Sequence, residues 1–405
     1  MIFASVILYW ESVMMKLERK TFNILYRNSW CILIVFSTIM SLIVRFSMID
    51  YISGDMNQYL IPWFESISSR GGVTALGTPV GDYNIAYQTL IALLSYIPLA
   101  PSVLYKFSSS LFDFLSAYTV YNVIIHITGN RKLATIGYSL AVILPSVVMN
   151  SALWGQCDSI YVSFCLLGLY FLLKKKYNRC FIAIGIAFAF KLQTVFLLPL
   201  FLFLYVKEQE FSIIKFAWIP IMMVVLSLGG ILQGLPVEEV FKIYYRQTKS
   251  GSFMSMNYPS FWTIMVPNYS EKYYNEMHIY AMLFPIIVLA IYMVILMDKK
   301  EKLGNLDILS IAFLFFFTCI YFLPNMHERY GYFLIILGLI LSLLDHRMIP
   351  MYILMTVIDM ITYANYFFGM KPDWQILSII NLLCYSCSTY LIIKKLTRYK
   401  IDFLE

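Results

Sequence analysis

Apolar runs of about 20 residues recur from one end of this chain to the other, the length that carries a helix across the hydrocarbon core of a bilayer. Inside hydrocarbon every backbone N–H and C=O must be bonded internally, which leaves helices or a closed barrel. Barrel strands alternate apolar and polar residues, and runs such as Tyr332-Phe333-Leu334-Ile335-Ile336-Leu337 do not. The chain therefore reads as all-α, a polytopic transmembrane helical bundle of roughly eleven to thirteen hydrophobic segments at that span length. Charged residues make up 13%, against roughly 25% in soluble domains. No linker separates modules, so residues 1–405 form a single membrane domain without a soluble part.

The net charge of +7 does not point to nucleic acid, because the cations sit in short loops between apolar runs, where the positive-inside rule explains them. The basic stretches are Lys16 to Arg27, His126 to Lys132, Lys174 to Arg179, Lys207 to Lys215, Asp298 to Lys302, Asp345 to Arg347 and Lys394 to Lys400. The rule places all of them, and both termini, in the cytoplasm. The outward segments are then 49–101, 151–158, the region near Lys191, 233–277, 324–330 and 368–374. No small-residue cleavage site comes after the first apolar residues, so no cleaved signal peptide is expected, and Met14 and Met15 are alternative starts. The seven cysteines lack metal-type spacing and read as small buried hydrophobes.

Two segments need broken or partial spans. Between Arg179 and Lys207 the apolar stretch must leave and return, which two half-helices meeting at Phe190-Lys191-Leu192-Gln193 would satisfy, since irregular backbone is tolerated where it lines a cavity. Residues 86–99 are apolar but cannot cross without inverting everything after them. They are expected to dip into the membrane or lie in the outer leaflet. Residues 57–68 look amphipathic and suit the interface. The first outer loop, 49–101, thus carries re-entrant or interfacial helices, and 233–277 is a second large outer loop.

Every polar cluster falls in the outward set. Asp55 comes after Gly54, a few residues past the first span, where a carboxylate can take a proton from a hydroxyl nucleophile; helix capping is the plainer role. Asp82 and Tyr83 share its loop. Trp154-Gly155-Gln156-Cys157-Asp158 opens another span, with interfacial anchoring the plain role for Trp154 and capping for Asp158. Lys191 and Gln193 stand in a stretch with no other charge, so Lys191 binds phosphate or pairs with an acid. Tyr244-Tyr245-Arg246-Gln247 and Asn257-Tyr258-Pro259-Ser260-Phe261-Trp262 have the ring-and-cation composition of a sugar or phosphate site, or of an aromatic belt. His327-Glu328-Arg329-Tyr330 places three ionisable residues in a row at a membrane boundary. Arg329 presents a fork that matches phosphate oxygens, His327 adds a proton or a hydrogen bond, and Glu328 can hold either cation. Asp113 and Asp359 lie mid-span and are expected to pair within the bundle. His278 reads as an interfacial residue.

Taken in order, Gly54-Asp55, Trp63-Phe64, Gly81-Asp82-Tyr83, Trp154 to Asp158, Lys191-Leu192-Gln193, Asn257 to Trp262 and His327 to Tyr330 resemble the GT-C superfamily of integral-membrane glycosyltransferases. The nearest branch is the bacterial relatives of the second mannosyltransferase of GPI-anchor synthesis. The likeness runs from about residue 45 to 335; the later spans fit by hydropathy alone. It implies transfer of a hexose from a polyprenyl-phosphate donor to a hydroxyl of an extracytoplasmic glycan or lipid-linked acceptor, with inversion. Asp55 would be the general base. Arg329, His327, Lys191 and Arg246 would receive the donor phosphate. Asp82, Tyr83, Trp154, Gln156, Asp158, Gln193, Asn257, Tyr258, Glu328 and Tyr330 would bind substrate. Metal-dependent members draw an acidic pair from the region of Asp158. Here a lone Asp beside Gln156 and Cys157 does not favour a divalent metal, and no cofactor is expected. The Tyr83-Asn84-Ile85-Ala86-Tyr87 stretch departs from the branch's more aromatic or Pro-rich version. Frequent Ile, Tyr, Lys and Asn fit an AT-rich genome and a bacterial plasma membrane.

Two other classes fit the hydropathy. A Wzy-type polysaccharide polymerase would concentrate Arg in late outer loops rather than place a carboxylate just after the first span. A transporter or flippase would show repeated halves with matching broken helices, and one broken pair is evident.

Overall fold

Backbone polar groups close on themselves in helices throughout the computed structural model, which describes residues 2–249, 251–298 and 301–397. Among these residues no β-strand forms; two isolated bridges join residues 256 and 257 to His327. Lys299, Lys300, Arg398 and Lys400, part of two expected basic stretches, lie outside the described residues.

Helices α1 (Ile2–Arg27) and α2 (Ser29–Ser47) lead into a loop that holds α3 (Ile61–Ser69) and α4 (Ile85–Leu94). Next come α5 (Pro101–Thr128), α6 (Arg131–Ile143), the single turn α7 (Pro145–Val148), α8 (Asp158–Leu173), α9 (Tyr177–Phe190), α10 (Leu198–Glu208), α11 (Trp218–Leu226) and the short α12 (Leu228–Ile231). A second loop carries α13 (Glu239–Lys249) and α14 (Phe261–Met265). The last helices are α15 (Tyr274–Met297), α16 (Asn305–Phe322), α17 (Tyr332–Leu344), α18 (Ile349–Phe368) and α19 (Trp374–Thr397).

Among the described residues, six helices are long and apolar enough to cross a membrane: α2, α5, α15, α16, α18 with the turn before it, and α19. A seventh is α6 plus the segment to Trp154, bent by 47°. Residues 85–94, 158–173, 177–190 and 213–226 supply four shorter apolar helices. The expected hydrophobic segments are present, but several are too short to be full spans. Helices α16 and α17 are buried along most of their length, whereas α2 and α15 expose Val35, Phe36, Ile39, Ile286, Ile291 and Val294. Apolar faces of that kind are what a bilayer covers, and the chain is a multi-pass membrane protein.

The break between α9 and α10 falls where the sequence places it. Helix α9 stops at Phe190, Lys191 is extended at φ −153°, and a 3₁₀ turn, Leu192–Leu197, leads into α10. In the first loop Met56, Leu60, Phe64 and Ile67 are buried, a spacing that puts them on one helical face. Helix α4 has ten residues, roughly 15 Å, which is about half the hydrocarbon thickness.

Asp113 pairs as expected. Its carboxylate meets Arg45 Nη2 at 2.9 Å and Tyr332 Oη at 2.6 Å, and also bonds Ser151. This joins α2, α5 and α17 to the segment after α7. Asp359 forms no ion pair among the described residues and its Oδ2 has no hydrogen-bond partner; the polar groups around it, Tyr258, Thr362 and Asn381, include no cation. All seven cysteines are free; five are buried, while Cys31 and Cys387 are exposed.

Helix α8 runs from Asp158 to the Lys174 loop, and α17 runs from the Arg329 turn to Asp345. The polar clusters and the basic loops therefore occupy opposite ends of shared helices. At the basic end Glu210 meets Lys175 at 2.6 Å and Lys302 at 3.6 Å, and Asp345 meets Arg347 at 2.7 Å.

Removing one partner of a buried ion pair leaves the other uncompensated. Arg45→Met is expected to lower stability by about 3–5 kcal/mol, read as a depressed unfolding midpoint in detergent.

Candidate active site

Asp55 precedes a π-helical turn, Met56–Leu60, and its side chain makes no capping bond. Oδ2 instead accepts hydrogen bonds from Trp154 Nε1 at 3.0 Å and Gln156 Nε2 at 3.1 Å. Arg329 Nη1 stands 3.5 Å from the same oxygen. The Asp55 backbone N–H donates to Tyr366 Oη at 3.0 Å. The carboxylate remains 27% exposed, so it is oriented by protein and open to a ligand.

Its donors come from a tightly shaped turn. A second π-helical turn, Met149–Trp154, ends at a fully buried Trp154. Trp154 is therefore enclosed by protein and is not an interfacial anchor. Gly155 then reverses the chain at φ +72°, where an added Cβ would also strike the Met56 side chain. Gln156 is fixed at both ends: Oε1 accepts from Tyr83 Oη at 2.8 Å, and its backbone oxygen accepts from Ser109 Oγ at 2.7 Å. Burial raises the Tyr83 phenol well above its ordinary range, which keeps it a neutral donor.

Asp158 opens α8, but Cys157 is the cap position and carries no side-chain capping bond. The Asp158 carboxylate is wholly buried and bonds Lys191 through Oδ1, while Oδ2 accepts from Asn150 Nδ2 at 3.2 Å. Arg329 Nε lies 3.6 Å from Oδ2. The ammonium of Lys191 stands 5.6 Å from the Tyr161 ring centre and 5.5 Å from that of Tyr330, so rings flank the charge. The extended residue between α9 and α10 is thus the one whose side chain neutralises Asp158.

Arg329 lies on a 3₁₀ turn, Glu328–Gly331. Its guanidinium is 5.3 Å from the Trp154 ring centre and 3.5, 3.6 and 4.0 Å from Asp55, Asp158 and Glu328. None of these contacts has hydrogen-bond geometry, and Nε is buried without a partner. The fork is held by charge with its donors unspent. Glu328 is 3% exposed, and its Oε2 has no hydrogen-bond partner. Burial pushes its carboxyl up to about 7, against the opposing pull of Arg329. His327 is pushed down to about 3 by burial and by the charges of Arg329 and Lys191. These forces favour its neutral, hydrogen-bonding form.

Asp55, Trp154, Gln156, Tyr83, Asp158, Lys191, Arg329, Glu328, His327 and Tyr330 thus converge. Of the other five expected residues, Asn257 meets the cluster through its backbone bridge to His327, and none bonds it through a side chain. Arg246 is exposed on α13, paired with Glu239 at 2.9 Å. Asp82 is exposed, and only its backbone oxygen is held, by Gln247 at 2.7 Å. Gln193 is half-buried in the turn after Lys191 and makes none of the cluster's hydrogen bonds. Asn257 has φ +60° and donates to Tyr269 Oη at 3.1 Å. Tyr258 is buried beside Asp359 and Asn381, under Gly331.

Four neighbours of the cluster carry no signal in the sequence: Asn150, Tyr161, Tyr363 and Tyr366. The last two belong to the run Tyr363-Ala364-Asn365-Tyr366-Phe367-Phe368 near the end of a span, which in sequence looks like an aromatic belt. Lys191 and Arg329 face the Asp158 oxygens. Among the described residues no three His, Cys, Asp or Glu side chains converge as a metal site.

No protein-family model matches this chain, and no curated protein matches it. A solved structure, ArnT from Cupriavidus metallidurans in the apo state, aligns over 92% of this chain and 78% of its own length, at 11% identity and a TM-score of 0.48.

The Glu328 carboxyl, raised from an ordinary value of 4.5 to about 7, favours the protonated folded state. Its contribution to stability is complete below pH 4.5 and is lost as pH rises through 7. Glu328→Gln is expected to flatten this part of the stability–pH curve, measured as unfolding midpoints in detergent between those pH values.

Proposed function

We propose that this chain is a GT-C-type glycosyltransferase that moves a hexosyl group, mannosyl-like by the branch resemblance, from a polyprenyl-phosphate carrier to an acceptor hydroxyl outside the cytoplasm. One observation carries the reading: an oriented, partly open Asp55 carboxylate lies 3.5 Å from a guanidinium whose N–H donors are unspent. A base and an anion-binding fork side by side are what displacement of a phosphate by a hydroxyl requires.

Asp55 takes the acceptor proton as that oxygen attacks the anomeric carbon from the face opposite the phosphate. The bond from carbon to phosphate oxygen breaks, and its electron pair leaves with the phosphate. The new negative charge develops beside Arg329, whose fork pairs two phosphate oxygens at once. Preorganised charge at that point is usually a large catalytic term. His327 supplies a hydrogen bond and gains basicity when an anion arrives. Lys191 acts through Asp158, cancelling a carboxylate that would otherwise repel the phosphate. Gln156, held in turn by Tyr83, donates to the same Oδ2 as Trp154 and fixes the orientation of the base. No step calls for a metal or cofactor.

The test uses purified protein in detergent with a panel of synthetic polyprenyl-phosphate sugars and glycan or lipid acceptors. Asp55→Asn is expected to lower kcat by about 10²–10⁴-fold. Arg329→Lys keeps the charge but not the fork, and is expected to cost about 10²-fold. Chelation is expected to leave turnover unchanged. Undiminished transfer by Asp55→Asn, or solute transport with no transfer product, would defeat the proposal.

A further inference from the structure

The Asp55 carboxylate is gripped by two side chains from the turn after α7, but its backbone is gripped from elsewhere. Tyr366, near the end of α18, accepts the Asp55 N–H on Oη at 3.0 Å. The same residue's ring stacks on Trp154, with centroids 4.0 Å apart and planes inclined by 22°. Trp154 in turn donates to Asp55 Oδ2 at 3.0 Å. Tyr366 therefore touches Asp55 at the main chain and touches the donor that holds its side chain. Phe367 and Tyr363 meet Trp154 edge-on, at 5.1 and 5.6 Å. Stacked on one side and edge-packed by two neighbours, the indole has little freedom to swing its N–H off the carboxylate.

Helix α18 also reaches the second carboxylate. Asn150 Nδ2 lies 3.0 Å from Tyr363 Oη and 3.2 Å from Asp158 Oδ2. One helical edge, with Tyr363 and Tyr366 three residues apart, thus stands behind both acids.

We infer that Tyr366 is a positioning residue: its hydroxyl and ring fix Asp55 and Trp154 together, so that the base meets the acceptor oxygen in one orientation. The inference rests on the reading of Asp55 as the base. It extends the functional apparatus into a span that the ordered sequence motifs do not reach. The hydroxyl holds the backbone in place, and the ring holds the indole in place, so the two contributions are separable by substitution.

Tyr366→Phe retains the stacked ring and removes only the hydroxyl. It is expected to lower kcat about tenfold, the scale of one hydrogen bond, with donor KM and the unfolding midpoint unchanged. Tyr366→Leu removes both contacts and is expected to lose more. Placed in an Asp55→Asn background, Tyr366→Phe should cause no further loss, because the group it orients is already inert. Trp154→Phe, which deletes the N–H donor, should resemble Tyr366→Phe in its effect on kcat and KM. Wild-type turnover by Tyr366→Phe, or the same fractional loss with and without Asp55, would overturn the inference while leaving the base intact. Full activity of Asp55→Asn alone would instead remove the base itself, and the positioning role with it.

Discussion

The structure depends on keeping ionised groups inside an apolar bundle at acceptable cost. Moving a carboxylate or ammonium out of water costs several kcal/mol after relaxation, and a bundle this poor in charge has few groups to offset it. Asp158 and Lys191 solve the problem by bonding each other directly, with tyrosine rings around the ammonium. Arg329 then spans the gap between Asp158 and Asp55. Each member comes from a different segment: the first loop, the start of α8, the break between α9 and α10, and the turn before α17. Forming the cluster therefore brings four distant stretches of chain to one place. The Arg45–Asp113 pair does the same for α2 and α5, so two ionic knots fix the packing of a bundle whose apolar faces are otherwise interchangeable.

The cluster's balance also bears on the chemistry proposed for it. Lys191 is committed to Asp158, whereas Arg329 has ionic neighbours but no hydrogen bonds to them. The cation nearest Asp55 is thus the one with directional capacity left over. Glu328 is buried too, but burial favours its neutral form near physiological pH, which limits the local excess of negative charge. Such a site tolerates an incoming anion better than a bare count of carboxylates would indicate.

Much of this is legible in sequence. The break at Lys191 can be read because too few apolar residues separate Arg179 from Lys207 for two full spans. Asp55, Trp154 to Asp158 and His327 to Tyr330 stand out because polar groups at span ends are expensive. Pairings are not legible, because they depend on which helix ends meet. Lys191 meets an acid, while Arg246 finds Glu239 seven residues earlier, two turns back on one exposed helix. Tyr258 resembles an interfacial ring but packs into the bundle beside Asn381, 123 positions further on. Tyr363 and Tyr366 are hidden for the opposite reason: rings at the end of a span have an ordinary explanation, and only the fold shows what they touch.

The two π-helical turns have a consequence for chain register. One comes directly after Asp55 and the other ends at Trp154, so both halves of the Asp55–Trp154 hydrogen bond are set by a turn wider than that of an ordinary α-helix. Each residue added to or taken from an α-helix rotates the remainder of the chain by about 100°. Shortening 149–153 by one residue would let the turn relax to regular geometry and swing the indole away from the carboxylate, with every side chain of the cluster still present. The length of this stretch therefore matters as much as the Asn150 and Ser151 side chains that it carries to Asp158 and Asp113.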